Sequence, residues 1–122
     1  MNRIVGIMPT ININKDDNPY NDNYSFVDLY AKKVFECNGI PYGILLNNGE
    51  IDYQSLNMCD GFIIPGGTKI DKACYELINY CIQNNKPLLG ICMGSEAIAI
   101  YSNIYPYINN NNINELLTIE KR

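Results

Sequence analysis

The stretch "KPLLGICMGSEAIAIY", residues 86–101, decides the fold class of this chain. After its lysine the stretch begins with "PLLGIC" (87–92), which is apolar and uncharged and is typical of a strand buried on both faces. "GICMG" then supplies a turn of small residues around one cysteine, and the small and apolar residues that follow predict a helix. The stretch therefore predicts a strand, a tight turn that carries Cys92, and a helix that begins at once.

Strand and helix patterns alternate on the N-terminal side of this stretch. Three further apolar runs predict strands, and they are "RIVGIMP" (3–9), "IPYGILL" (40–46) and "GFIIPGG" (61–67). Apolar residues at helical spacing predict helices over 24–39, which Gly39 ends, and over 71–86. The first of these helices has its apolar stripe at Phe26, Leu29, Tyr30, Val34 and Phe35. The Asn- and Asp-rich stretch 10–23 is predicted to be a loop.

Strands that are apolar on both faces, with helices between them, indicate a parallel sheet covered on both sides. The predicted fold is therefore a three-layer α/β fold with a flavodoxin-like (Rossmann-like) parallel sheet, in one domain over residues 1–122. Ligands bind such sheets beyond the carboxyl ends of the strands, where both "PGG" and "GICMG" lie. The tail 104–122 is weakly specified, and its apolar patch "INELLTI" (113–119) fits a helix, a strand or a frayed end.

Composition and charge exclude several classes of function. The formal net charge is −4, so the chain has no broad positive field for phosphate backbones, and nucleic acid is not expected as a partner. No stretch approaches the roughly 20 apolar residues of a membrane helix, and the N-terminus lacks a signal peptide's apolar region. The five cysteines show no zinc-site spacing, so neither a metal nor a cofactor is expected. Cys74 and Cys81 share a helix face and are interpreted as core residues, and a reducing cytoplasm is the expected location.

The turn around Cys92 matches a nucleophile elbow, with Gly90 and Gly94 each two residues away. The N-terminal amides of the following helix favour negative charge and hence the thiolate. The Met93 amide can donate to an oxyanion, and Gly66 or Gly67 can bring a second amide close to a substrate. The alternative is structural, in which Cys92 is a buried residue at a tight turn.

Taken together, "DGFIIPGG" (60–67) and "KPLLGICMGSEAIAIY" (86–101) resemble the class I glutamine amidotransferase-like domain. The nearest branch is the gamma-glutamyl hydrolases, which include gamma-glutamyl-gamma-aminobutyrate hydrolase. "VGIMPT" (5–10) and "YSFVDLYAKKVFECNGIPYGIL" (24–45) also resemble that branch, and the resemblance covers about residues 3 to 103.

The resemblance implies cleavage of a gamma-glutamyl amide bond through a thioester, with Cys92 as the nucleophile. Gly67 and Met93 would supply the oxyanion amides, and Gly66 and Glu96 would lie at the substrate. Two positions depart from the family pattern. Glu96 stands where amidotransferases commonly have a glutamine, and Met93 replaces an arginine that is frequent in the hydrolase branch.

A larger departure is length, because domains of this family are about twice as long and take their catalytic His and Glu from the second half. This chain contains no histidine, so the fold is expected to be truncated after the nucleophile helix and to hydrolyse amides poorly or not at all alone. The family strand order 2-1-3-4 would leave the fourth strand at an edge. That edge is expected to be covered by the tail after Ile104, by a second copy in a homodimer, or by a separate chain that supplies the missing half.

Two other functions stay open. In the first, the chain is a non-catalytic remnant of this fold that binds a gamma-glutamyl or amino-acid ligand or a protein partner. In the second, it is a thiol redox sensor. In the sensor, Glu96 would hydrogen-bond an oxidised Cys92, although an acidic residue in a first helical turn is equally explained by solvation.

Overall fold

The computed structural model describes residues 2–12, 16–47, 49–67 and 71–104. The strands are β1 (Ile4–Ile7), β2 (Thr10–Asn12), β3 (Asn23–Ser25), β4 (Ile40–Gly43), β5 (Gly61–Ile64) and β6 (Leu88–Gly90). The α-helices are α1 (Asp28–Glu36), α2 (Tyr53–Asn57), α3 (Lys72–Gln83) and α4 (Met93–Ile104), and a 3-10 turn spans Pro19–Asn21. The tail predicted over 104–122 lies outside the described residues from position 105 onward.

Four of these strands form one parallel sheet in the order β4-β1-β5-β6. They are the four strands that the apolar runs predict, and their order is the expected one. The most buried strand is β5, because every residue from Gly61 to Ile64 is buried. Helices flank the sheet, so the predicted three-layer α/β fold is confirmed. Within the described residues β6 is an edge strand of this sheet, as predicted.

The two faces of the sheet are covered unequally. On one face α4 packs against β5 and β6, and α3 packs against α4, which builds the larger core around Phe62, Ile64 and Leu77. On the other face α1 packs against β4 and builds a small cluster around Ile7, Val34 and Ile63. The second face therefore has less helical cover in the described part of the chain.

The loop predicted over 10–23 contains regular structure at both ends, so that prediction is wrong there. Its ends pair as the antiparallel strands β2 and β3, with Ile11 opposite Tyr24. The amide nitrogen of the Asn12 side chain donates to Asn23 Oδ1 (3.0 Å) and to Ser25 Oγ (2.7 Å). Each strand is only three residues long and has one apolar residue between two polar ones, so the alternation is too short to be distinguished from a loop in the sequence.

The first helix is shorter than its pattern predicts, since α1 begins at Asp28. Of the predicted stripe, Val34 is buried and Tyr30 is half-buried, but Leu29 and Phe35 are exposed. Phe26 precedes the helix and its ring lies against the backbone of Gly43. The predicted stripe is therefore wrong at three positions, because α1 is the only helix on this face among the described residues and has no second helix to pack against.

Lys86, just before β6, connects the edge strand to the end of α2. Its Nζ donates to the carbonyl oxygens of Cys59 (2.7 Å), Leu56 (3.3 Å) and Asn57 (3.4 Å). The same ammonium lies 5.6 Å from the centroid of the Tyr80 ring, within the range of a cation–π contact. One side chain thus satisfies three carbonyls at a helix C-terminus, which also favours positive charge.

We expect the Lys86→Met variant to lose about 2 kcal/mol of the free energy of unfolding, because three carbonyls lose a charged donor. Urea unfolding measures the loss. The matched control is Lys32→Met, since Lys32 forms an exposed ion pair with Asp28 and should change stability by about 0.5 kcal/mol or less. Equal effects of the two substitutions would contradict the role given to Lys86.

Candidate functional site

The turn between β6 and α4 has the backbone of a nucleophile elbow. Only Ile91 and Cys92 separate the end of the strand from the start of the helix. Cys92 has φ +51°, in the left-handed region that residues with a side chain rarely adopt. Such a conformation costs about 1–3 kcal/mol and is found mainly at functional sites. Cys92 is also exposed, so the alternative of a buried structural cysteine is wrong.

Gly90 and Gly94 are required by the closeness of the backbone around the elbow. A Cβ atom at Gly90 would lie 2.6 Å from the carbonyl carbon and oxygen of Gly94. A Cβ atom at Gly94 would lie 2.1 Å from the carbonyl oxygen of Ile64, the last residue of β5. Since neither neighbour is a mobile side-chain end, the two positions admit only glycine. The small-residue pattern therefore reflects a physical requirement of this turn.

Backbone hydrogen bonds hold the elbow between β5 and α4. The Ile91 amide donates to the carbonyl oxygen of Ile64 (3.0 Å), and the Gly94 amide donates to that of Ile91 (3.0 Å). The carbonyl oxygen of Cys92 accepts from the Glu96 amide (3.1 Å) and from Ser95 Oγ (2.7 Å). Sequence reasoning missed Ser95, although a serine in a first helical turn is a signal for such local bonding.

The residues singled out from the sequence meet at the carboxyl ends of β5 and β6. A Cβ atom at Gly66 would lie 3.3 Å from Cys92 Cβ and 3.9 Å from Cys92 Sγ, so this glycine lies against the thiol. A Cβ atom at Gly67 would lie 3.4 Å from Met93 Cε. Glu96 is exposed in the first turn of α4 and is linked to Cys92 through its backbone amide. The arrangement brings one thiol, two glycines and a helix N-terminus together.

The other cysteines have a different environment. Cys59, Cys74 and Cys81 are buried, which confirms the interpretation of Cys74 and Cys81 as core residues, whereas Cys37 is exposed at the end of α1. Burial raises the pKa of the Cys81 thiol to about 12, and burial also raises the pKa of the Cys59 thiol. The Cys59 and Cys81 thiols are therefore protonated and inaccessible near neutral pH.

We expect N-ethylmaleimide at pH 8 to alkylate Cys92 about a hundredfold faster than Cys81, because the thiolate is the reacting form and burial suppresses it. Peptide mass spectrometry over a time course measures both rates in one sample. The protein in urea is the control, since unfolding should make the rates similar. Comparable rates in the folded protein would show that Cys81 is not shielded as described.

The left-handed conformation of Cys92 also predicts a stability change. We expect Cys92→Gly to raise the free energy of unfolding by about 1 kcal/mol, because glycine adopts positive φ without steric cost. Asn85→Gly is the matched control, since Asn85 has φ +53° but asparagine tolerates this region better and should gain less. A lower stability for Cys92→Gly would show that the elbow carries no strain at this residue.

Two features are absent from the part of the chain that the structure describes. None of the helices in this part of the chain is long and apolar enough to cross a membrane. Over the same ranges, His, Cys, Asp and Glu side chains form no group of three or more that could hold a metal ion.

The fold and the elbow define an α/β protein with an exposed cysteine at the carboxyl edge of a parallel sheet. The model of the family described as "Glutamine amidotransferase class-I" matches residues 20–112, which include Gly66, Gly67 and Cys92. The chain belongs to this family. The class I amidotransferase resemblance is thereby confirmed at the level of the family.

The curated relatives that match are CTP synthases. That of Chlamydia muridarum (strain MoPn / Nigg) is 40% identical over 49 residues, which are 38% of this chain and 9% of the relative. That of Methanosphaera stadtmanae is 33% identical over 73 residues, which are 56% of this chain and 14% of the relative. The chain thus spans only a small part of the length of these relatives. The gamma-glutamyl hydrolase branch stays a prediction, since these relatives carry a different name.

Proposed function

We propose that Cys92 is the nucleophile of an amidohydrolase-type site that acts on gamma-glutamyl amides. We expect its substrates to resemble those of the gamma-glutamyl hydrolase branch. One observation carries the proposal: the exposed Cys92 thiol lies on a left-handed elbow, against Gly66 and at the start of α4. Membership of the glutamine amidotransferase class-I family supports it.

The proposed reaction begins when the Cys92 thiolate attacks the gamma-carbonyl carbon and a C–S bond forms. The carbonyl oxygen becomes an oxyanion, for which we assign the amides of Met93 and Gly67 as donors. The C–N bond then breaks, the amine leaves with a proton, and a thioester remains on Cys92. Water hydrolyses the thioester, releases the gamma-carboxylate and restores the thiol.

The substrate side of the site is assigned to Gly66 and Glu96. Gly66 lets the substrate approach the sulfur closely, because it presents no side chain there. The Glu96 carboxylate is exposed one turn into α4, where it would accept a hydrogen bond from the ammonium of a gamma-glutamyl group. The Glu96 carboxylate would therefore favour a ligand that carries an α-ammonium group.

Proton transfer is the step for which these 122 residues lack the usual group, because they contain no histidine. General acid–base catalysis contributes about 10²–10⁴-fold in such reactions. A homodimer of these residues would contain no histidine either, so we propose that polypeptide outside these residues supplies the base and pairs with the edge strand β6. We place the chain, as one domain, in the cytoplasm, where its five thiols stay reduced.

The purified chain is incubated with gamma-glutamyl p-nitroanilide, and its intact mass and the released p-nitroaniline are measured together. We expect one acyl group per chain to form slowly, because water must supply the proton to the leaving p-nitroaniline in place of the missing base. Release of p-nitroaniline should stop after about one turnover or continue slowly. Sustained turnover at ordinary enzyme rates would overturn the claim that these residues need a base from elsewhere. No acyl adduct at all would overturn the nucleophile assignment, and binding without an adduct would favour a ligand-binding remnant.

Exposure of the elbow thiol also favours a second candidate, a thiol redox sensor. An oxidised sulfur at Cys92 would be an anion beside the first-turn amides of α4, which favour negative charge. Mild peroxide followed by peptide mass spectrometry tests it. Stoichiometric sulfinic acid at Cys92, with Cys37 unmodified, would support the sensor, and equal oxidation of both exposed thiols would oppose it.

A further inference from the structure

The carbonyl oxygen of Cys92 accepts two hydrogen bonds from the first turn of α4. Ser95 Oγ donates at 2.7 Å and the Glu96 amide donates at 3.1 Å. The Glu96 bond has the ordinary spacing of an α-helix, whereas the Ser95 bond is an addition that depends on one side chain. Because Ser95 is exposed, water could satisfy its hydroxyl, so burial does not explain this bond.

The peptide unit that contains this carbonyl also contains the Met93 amide, which the proposed reaction uses as an oxyanion donor. Every peptide bond between described residues is trans, so its C=O and N–H groups lie in one plane and point in opposite directions. Bonds that draw the Cys92 carbonyl toward α4 therefore direct the Met93 N–H away from the helix. Met93 is the first residue of α4, so its amide has no acceptor within that helix.

We propose that Ser95 is a positioning residue of the Cys92 site, which holds the Met93 amide in the direction of the oxyanion. The inference rests on the proposed function, in which that amide stabilises the oxyanion. The Ser95 bond also polarises the peptide unit, so that its N–H becomes a stronger donor. Cys92 has φ +51°, a conformation that persists only where surrounding contacts hold it, and the Ser95 bond is one such contact.

A purely structural role, in which Ser95 only stabilises the first turn of α4, predicts different chemistry at Cys92. Attack of the thiolate on an acyl carbon creates an oxyanion, whereas alkylation by iodoacetamide displaces iodide and creates none. Loss of a correctly directed amide would therefore slow acylation alone. A change in the exposure or the thiolate fraction of Cys92 would change both rates.

The test compares the rates of acetylation by p-nitrophenyl acetate and of alkylation by iodoacetamide at Cys92, both measured by peptide mass spectrometry. Acetylation forms a C–S bond, breaks the ester C–O bond and releases p-nitrophenolate, which leaves without a proton. We expect Ser95→Val to lower the ratio of acetylation to alkylation about tenfold, since complete removal of an oxyanion donor costs about 10²–10³-fold. Ser95→Thr should keep the ratio, because threonine has the shape of valine and retains the hydroxyl. The matched control is Ser102→Val, which replaces an exposed serine near the other end of α4 and should leave the ratio unchanged.

An unchanged ratio in Ser95→Val overturns the inference, and an equal decrease of both rates also overturns it. If the buried Cys59 becomes reactive in this variant, the chain has unfolded, and the ratio in Ser95→Ala then decides in the same way, because alanine favours a helix. Gamma-glutamyl p-nitroanilide tests the proposed function separately. Acetylation that depends on Ser95, without a gamma-glutamyl adduct, would overturn the proposed substrate and leave the role of Ser95 intact. A gamma-glutamyl adduct at Cys92, with a ratio that does not depend on Ser95, would do the reverse.

Discussion

The Cys92→Ala variant is expected to lose acyl-adduct formation with gamma-glutamyl p-nitroanilide by about a thousandfold or more, because removal of a nucleophile costs at least this much in comparable enzymes. No other thiol can replace it. Cys59, Cys74 and Cys81 are buried, and Cys37 lies at the end of α1. Intact mass after a fixed incubation measures the adduct.

Cys37→Ala is the matched control, since it removes the only other exposed thiol of the chain. We expect this variant to keep the adduct of the unmodified protein. Urea unfolding of both variants separates loss of chemistry from loss of folding, which matters because alanine at position 92 must also adopt positive φ. Equal adduct in the two variants would assign the acyl group to another residue and end the nucleophile proposal.

Gly94→Ala is expected to lower the free energy of unfolding by about 3 kcal/mol, at the upper end of what overpacking costs. The new methyl group would lie 2.1 Å from the carbonyl oxygen of Ile64 and 2.9 Å from its carbonyl carbon. The overlap is relieved only if α4 moves away from β5. That movement would also break the hydrogen bond from the Ile91 amide to the carbonyl oxygen of Ile64. We therefore expect the adduct at Cys92 to decrease with stability.

The control for this substitution is Gly67→Ala at the neighbouring strand end. A methyl group there would meet Met93 Cε at 3.4 Å, an ordinary contact with a flexible side chain. We expect its free energy of unfolding to change by about 1 kcal/mol or less. Similar unfolding midpoints for the two alanine variants would show that α4 can adjust without cost, and the requirement for glycine at position 94 would be wrong.

The sheet and the elbow were predictable because their signals are short-range and strong. β5 is an apolar run that is fully buried and β6 is an apolar run at the edge of the sheet, and each is followed by glycine-containing residues where the chain leaves the sheet. Parallel strands share one carboxyl edge, so the meeting of Gly66 with Cys92 followed from fold class alone. The left-handed backbone of Cys92 was implied by the elbow pattern, since small neighbours on both sides permit it.

Other features depended on partners that are distant in sequence. The hairpin of β2 and β3 is linked by Asn12, Asn23 and Ser25, whose polarity suggests a loop. The helix α1 has an apolar pattern on more sides than one layer of sheet can bury, so its exposed residues could not be distinguished from sequence. The three carbonyls bound by Lys86 belong to residues about 30 positions earlier, which no local pattern reveals.

The backbone carbonyl of Ile64 shapes the elbow, although the side chain of this residue belongs to the core. Its side chain is fully buried, yet its carbonyl oxygen accepts the hydrogen bond from Ile91 and bounds the space left for Gly94. A substitution in the interior that tilts this peptide plane would therefore change the position of Cys92 Sγ without altering any exposed residue. Evolution could in this way adjust the reactivity of the surface from inside the molecule, and enzymes with identical surface residues could differ in rate.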